Sequence, residues 1–464
     1  VTLVEKAMVL IRTWLIFLVL SLMAIGSVQC SLVIADDTLS PTGMTPAVAG
    51  IKHDLERWFS ETTPTWLRTY RELHQSPELS FEEKATSQYI ADRWRDDGFM
   101  VVTNVGGFGV VAMMENGPGP TVMLRCDMDA LPVTEQTPFP FASPQKVTQS
   151  DGTTVGVMHA CGHDIHMTNV LAVSHFLATH RDHWSGRLML IAQPAEERGA
   201  GARSMLNDGL FQRFAKPDYA IALHVGHDLP AGQVSLMPGY SQANVDSVDI
   251  TMHGRGGHGS APETTIDPIV MASMLVVDLQ TIVSREISPR KPAVITVGSI
   301  HGGTKHNIIG DDCHLQLTVR SYDEAVRQHL LEAIERKANS IATSFRADAP
   351  TVTRSEGTPS LENDHELAAR MRDVFAAAIG KDQVGTSEPS MGGEDFSRYG
   401  KQGVPILMYR LGTVESARLK RYEKLEIPPP SLHSSQYYPD AKKSLRTAFM
   451  TMTAATLELL KPAP

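Results

Sequence analysis

The chain has 464 residues, 42% hydrophobic and 20% charged, with 42 basic against 52 acidic side chains and a net charge of −10. That length exceeds a single compact core and sets an expectation of two to three domains. The acidic balance argues against nucleic acid or an anionic membrane as the partner.

Residues 1–35 read as a signal peptide. Lys6 and Arg12 precede an apolar run over residues 14–28, about 15 residues, which suits a secretory h-region and falls short of the ~20 that span a bilayer. Val33-Ile34-Ala35 offers a cleavage site; an uncleaved anchor is the alternative, and Cys30 has a poor context for lipidation. The first residue, Val1, fits a bacterial GTG start, so export to a bacterial periplasm is expected. Cleavage would leave Cys126, Cys161 and Cys313, an odd number, so in an oxidising compartment at least one thiol stays unpaired or binds metal. Cys161 is the candidate.

From residue 48 to 240 helical and strand periods alternate, as in α/β folds. Helices are expected over residues 65–75 and 81–97, and strands over 121–125, 187–192 and 219–224. Asp127, Asp129, Glu196, Glu197 and His224 follow these strands, and sites in open α/β sheets lie outside the carboxyl ends of strands. Residues 241–353 show the order β-α-β-β-α-β of a ferredoxin-like unit and read as an inserted domain. The α/β pattern resumes over 354–464, with a helix at 364–379, a strand at 405–411, a loop at 411–431 containing Pro428-Pro429-Pro430, and a closing helix at 440–460.

Two segments carry chemistry. Met158-His159-Ala160-Cys161-Gly162-His163-Asp164 packs three metal-capable side chains and a carboxylate around one glycine; alone it is equally a structural cluster. About thirty residues on, an apolar strand ends in Gln193-Pro194-Ala195-Glu196-Glu197, delivering two adjacent carboxylates.

Together with Leu73-His74-Gln75-Ser76-Pro77-Glu78-Leu79-Ser80, Asp127-Met128-Asp129-Ala130-Leu131-Pro132 and Met391-Gly392-Gly393-Glu394-Asp395-Phe396, these segments resemble the metal-dependent amidohydrolase and aminoacylase family of hippurate hydrolases, auxin-conjugate hydrolases and, more distantly, carboxypeptidase G. The resemblance spans about residues 60 to 455. It implies a mixed sheet flanked by helices with an inserted lid and dimerisation domain. It also implies two divalent metals, held by Cys161, His163, Glu197, His224 and His433. This donor set suits Zn²⁺ or Mn²⁺, with Co²⁺ and Ni²⁺ as further candidates. His433 is followed by Ser435-Gln436-Tyr437-Tyr438 where the family usually has a proline and a phenylalanine.

The resemblance makes Glu196 the general acid/base that moves a proton from water to the departing nitrogen. Asp129 is expected to accept a hydrogen bond from a ligating imidazole, with His159, Asp164 and His166 as supports. His258, in Gly254-Arg255-Gly256-Gly257-His258-Gly259-Ser260, matches a histidine that reaches into the partner subunit's site to stabilise an oxyanion. Asn307 and Arg320 match positions that hold a substrate carboxylate, although Asn307-Ile308-Ile309-Gly310 departs from the family's Asn-Val-Ile-Pro. Gly392 and Gly393 would let the backbone approach substrate, and Asp395 would cap the helix after it. Cys126 stands where alanine is common and reads as a packing residue.

The expected function is hydrolysis of the amide of an N-acyl or N-aroyl amino acid by a homodimeric enzyme. One alternative is a carboxypeptidase or dipeptidase acting on peptides with a free C-terminus. Another, of a different class, is a non-catalytic periplasmic protein that binds metal or ligand.

Overall fold

The computed structural model describes residues 47–461; the segment read as a signal peptide lies outside them. An eight-stranded sheet forms the centre. In chain order its strands are β1 (Met100–Val105), β2 (Gly109–Asn116), β3 (Thr121–Asp127), β4 (Gly186–Gln193), β5 (Tyr219–Pro230) and β6 (Val234–Leu236). Four strands of a second sheet intervene, β7 (Asn244–His253), β8 (Ala293–Gly302), β9 (Asp312–Ser321) and β10 (Thr351–Thr358), before β11 (Val384–Thr386) and β12 (Ile406–Val414) complete the first. The spatial order is β1-β2-β4-β3-β5-β12-β6-β11. Its centre, β4-β3-β5-β12, is parallel. Every residue of β3 is buried and β4 is buried except at Arg187, the near-continuous apolar run that two covered faces demand.

Helices α1 (Lys52–Gln75), α2 (Lys84–Asp96), α3 (His163–Thr179), α7 (His365–Ile379) and α8 (Ala441–Leu459) pack with this sheet into one core. Helix α1 begins well before the expected residue 65 and runs through Pro64. Proline in a helix interior removes a hydrogen bond and crowds the preceding turn. Burial of Leu55 and Phe59 before it, and of Trp66, Tyr70 and Leu73 after it, outweighs that cost. The expected loop at 411–431 contains a helix, Ser416–Lys424. None of its residues is buried, so it leaves no hydrophobic periodicity to read. Arg418 fixes it by stacking on Tyr438 and donating to the Tyr438 carbonyl.

The second sheet is antiparallel throughout, in the order β8-β9-β7-β10. Helix α5 (Pro268–Thr281) connects β7 to β8, and α6 (Glu324–Ser344) connects β9 to β10. This is the split βαβ arrangement. Burial alternates along β7 and β9, and Val248, Ile250, Leu315 and Leu317 meet Met271, Leu275, Leu330 and Ile334 in a core separate from that of the first sheet. Asp267 starts α5 by accepting from the Ile269 and Val270 amides. The outer side of α5 leaves Ile269, Val270, Met274 and Val277 exposed, Val277 to 70%.

Candidate metal centre and active site

The site is assembled where β3 and β4 end and α3 begins, beside His224 in the middle of β5. Gly162 is the N-cap of α3, at φ 74°, a left-handed conformation that glycine adopts without steric cost. A Cβ there would also lie 2.7 Å from Val225 Cγ2. The tight cap allows Cys161 and His163, on either side of it, to face the same crevice.

Two overlapping groups of donor atoms result. Cys161, His163 and His224 lie with their donors within 4.8 Å of one another, and so do Cys161, Glu197 and His433. The five ligands expected from the sequence are therefore together, with Cys161 common to both groups. Cys161 Sγ is 3.6 Å from His224 Nε2, and His433 Nε2 is 3.4 Å from Glu197 Oε2. His433 reaches the site through a left-handed backbone, φ 67°, with its amide donating to the Ala160 carbonyl.

These residues fit a divalent cation. His163 Nδ1 donates to the Asp129 carbonyl at 2.7 Å, and His224 Nδ1 donates to the Val225 carbonyl at 2.9 Å. A carbonyl can only accept, so Nδ1 of each ring carries a hydrogen and Nε2 is the nitrogen left facing the crevice, able to ligate a cation when it holds no proton. His163 Nε2 and Glu197 Oε1 are buried with no hydrogen-bond partner, which is costly for polar atoms left uncompensated. Burial and the Glu197 and Glu196 carboxylates push the Cys161 thiol well up. Burial lowers His163, but Asp127 and Asp129 override it and raise the group to about 10. The surroundings favour positive charge, and a metal ion would supply it.

Asp129 accepts from the His163 imidazole, through its main chain. Its main-chain carbonyl, rather than its carboxylate, takes the short hydrogen bond from His163; Asp129 Oδ1 is farther, at 3.4 Å. The carboxylate instead accepts from Ser80 Oγ and from the Glu197 amide. His166, expected as a support, has both nitrogens engaged. Nε2 accepts from the Val225 amide at 3.0 Å, so the ring is neutral and Nδ1 donates to Asp127 at 2.6 Å. Asp164 pairs with His74, whose other nitrogen meets Glu135. His159 is buried with both nitrogens unpartnered, and burial lowers it to about 4. Cys126 is buried on β3, its Sγ 3.7 Å from the Ile191 carbonyl, and burial raises its thiol strongly, as a packing residue requires.

Glu196 has a carboxylate oxygen within 4.8 Å of donor atoms of His163 and Glu197 on one side and of Glu394 and Asp395 on the other. Burial, then Glu394 and Glu197, push it well above the usual carboxylate range. The residue that makes this crowd of acids tolerable was not singled out from sequence. Arg125, fully buried on β3, donates to Asp127, Glu394, Asp395 and Gln193. A basic residue inside an otherwise apolar strand, two positions before an acid, was the available signal.

Asp395 does not cap the helix after it. Its oxygens accept from Arg125 and Gln193 and from the Ala202 amide, so it serves the first turn of another helix, α4 (Gly201–Asn207). At Gly393 a Cβ would meet Thr358 Oγ1 at 2.5 Å and Val245 Cγ2 at 2.6 Å. Contact with β7 and β10 of the second sheet requires glycine at this point. Arg320, half-buried on β9, donates to the Met391 carbonyl and Thr318. His258 and Asn307 lie outside the donor groups, exposed on the finger where Gly257–His258 pairs with Ile308–Ile309. His258 Nδ1 accepts from the Ser260 amide.

A parallel-centred sheet with a ferredoxin-like insertion, and a crevice of imidazole, thiolate and carboxylate donors beside a buried glutamate, define a metallohydrolase of the amidohydrolase and metallopeptidase class. Residues 123–429 match peptidase family M20/M25/M40. The chain is 38% identical over 347 residues to thermostable carboxypeptidase 2 of Saccharolobus solfataricus, covering 74% of this chain and 84% of that one. It is 35% identical over 335 residues to hippurate hydrolase of Campylobacter jejuni, covering 70% and 82%. Among solved structures, the Bacillus subtilis YXEP protein, a dinuclear metal-binding peptidase from the M20 family, superposes with a TM-score of 0.71 at 28% identity, over 86% of this chain and 99% of that one. The chain belongs to the M20/M25/M40 peptidase family and is an enzyme.

Proposed function

We propose that the protein hydrolyses the amide bond of N-acyl or N-aroyl amino acids, releasing a carboxylic acid and a free amino acid, with two divalent ions at the Cys161 centre. The observation that carries this reading is the pair of donor groups sharing Cys161 with Glu196 alongside. Cys161, His163 and His224 would hold one ion, and Cys161, Glu197 and His433 the other. Once bound, such ions polarise a carbonyl and make water nucleophilic near neutral pH. Glu196 accepts a proton from the attacking water and delivers it to the departing nitrogen. Arg320, with Asn307, receives the substrate carboxylate. His258 of a second copy donates to the developing oxyanion, and the exposed apolar strip of α5 supports a homodimer formed through the inserted unit.

The hippurate hydrolase relative favours acylated amino acids. The carboxypeptidase relative favours a second reading, hydrolysis of peptides with a free C-terminus, which the same carboxylate-holding residues serve. Export to a periplasm remains part of the proposal on the strength of the N-terminal sequence. The test is a panel of N-acetyl, N-benzoyl and indole-acetyl amino acids and unblocked dipeptides, assayed with Zn²⁺ or Mn²⁺ and a Glu196→Ala control. Metal-dependent release of amino acid from the acylated substrates, abolished in the control, is the expected result. Activity confined to dipeptides would replace the first reading with the second, and no turnover by metal-loaded protein would remove both.

A further inference from the structure

The turn that delivers Glu196 and Glu197 carries backbone strain. Ala195 has φ 49° and ψ 41°, left-handed values that bring Cβ too close to the following carbonyl in any residue but glycine. The chain is doubled back there: the Ala200 and Gly201 amides both donate to the Ala195 carbonyl, and a Cβ on Gly201 would lie 1.6 Å from the Pro194 carbonyl oxygen. This fold sends Glu196 toward Glu394 and Asp395 while Glu197 points to Cys161 and His433.

Two carboxylates from outside grip the turn by its amides. Asp129 Oδ2 accepts from the Glu197 amide at 3.0 Å, and Glu83 Oε1 accepts from the Ala195 amide at 2.8 Å. Glu83 is fully buried, and its second oxygen has no partner. Burying a carboxyl group with one oxygen unsatisfied is costly, so its hydrogen bond to the strained amide is the interaction this placement serves. Ser80, three residues earlier, holds Asp129 through a 2.7 Å hydrogen bond. The segment before α2 therefore supports both grips.

We infer that Glu83 is a positioning residue, which holds Ala195 in its left-handed conformation and thereby sets the directions of Glu196 and Glu197. The inference rests on the proposed roles of those two glutamates. It distinguishes Glu83 from a residue that merely fills the core, because relieving the strain by another route should replace it. Ala195→Gly is that route, since glycine adopts positive φ without penalty.

The experiment is a double-mutant cycle of Glu83→Ala and Ala195→Gly in the full chain, with Glu83→Gln and Glu196→Ala alongside. It reads kcat and KM on N-benzoylglycine, and Mn²⁺ affinity by calorimetry on chelator-stripped protein. Glu83→Ala should lower kcat at least tenfold with KM within threefold, and weaken Mn²⁺ binding at least threefold through Glu197. Adding Ala195→Gly should recover at least threefold of each loss. Glu83→Gln, whose amide oxygen still accepts, should stay within threefold of the parent. Glu83→Ala within twofold of the parent, or single effects that simply multiply in the double variant, would overturn the inference. If Glu83→Ala does not fold, the cycle is run with Glu83→Asp, whose carboxylate stops a methylene short of the amide; parental behaviour in that variant overturns it equally. An inactive Glu196→Ala beside an unaffected Glu83→Ala removes the positioning role alone, whereas an active Glu196→Ala removes the proposed reaction as well.

Discussion

Arg125 is a single cation facing Asp127, Glu394 and Asp395 at 2.7, 2.9 and 3.2 Å, all of them shielded from solvent. Removing one partner from such a network leaves the other charges buried and uncompensated. Arg125→Met is expected to cost about 3–5 kcal/mol of stability, measurable by urea unfolding. Arg125→Lys should fail to rescue fully, because one ammonium cannot reproduce the guanidinium fork that also reaches Gln193. His166 acts at shorter range. Its grip on the Val225 amide fixes the residue whose carbonyl orients His224, so His166→Ala should weaken metal binding by roughly 10–100-fold, as loss of such supporting contacts typically does. Calorimetric titration of the stripped protein checks it, and an unchanged affinity would show that His224 needs no such support.

At the scale of elements, His74 ties α1 to the start of α3 and to the loop carrying Glu135. It is 2.7 Å from Asp164 and 3.1 Å from Glu135. Burial would lower the imidazole, but these two hydrogen-bonded carboxylates raise it to about 9. A group raised in the folded state stabilises fully below its unfolded value of about 6.5 and loses that contribution as pH climbs through the folded value. Unfolding free energy should therefore fall between pH 6.5 and about 9. The slope should flatten in His74→Gln, and an unchanged slope in that variant would assign the pH dependence elsewhere. The same loop carries Phe139 and Phe141, stacked at 4.5 Å between centroids. Phe139 meets Tyr438 edge-on, and the Gln136 amide donates to the Ser435 carbonyl. Loosening the clamp should thus be felt on both sides of the crevice that holds His433.

For the whole molecule, the exposed strip Ile269, Val270, Met274 and Val277 lies on the inserted unit, which also carries His258 on its paired finger. Val277→Asp places a charge on the most exposed residue of that strip and should shift the protein toward monomer in sedimentation. The monomer should keep its metals and lose turnover, because the proposed oxyanion donor comes from the other copy. Full activity in a demonstrated monomer would show that His258 is not required in trans.

The sequence alone determined the alternation of helix and strand around the central sheet, the β-α-β-β-α-β order of the inserted unit and the five metal-capable side chains that meet in the crevice. The elements were legible because burial on one or two faces imposes a period on the chain, and the ligand set because the motifs resemble those of a known family, which implies it. Tertiary structure decided what each acid does. Arg125, Glu394 and Glu83 act through partners 269, 270 or 112 positions away, and no local period marks such pairings. It selected Asp129's carbonyl as the acceptor for His163, gave Asp395 to α4 and packed Gly393 against Val245 and Thr358. It also carried α1 through Pro64, where burial on both sides of the proline outweighed its local preference. Local patterns specified which groups the chain would bring. Long-range packing fixed which atom of each group faces the crevice, because orientation depends on neighbours that become neighbours only when the chain folds.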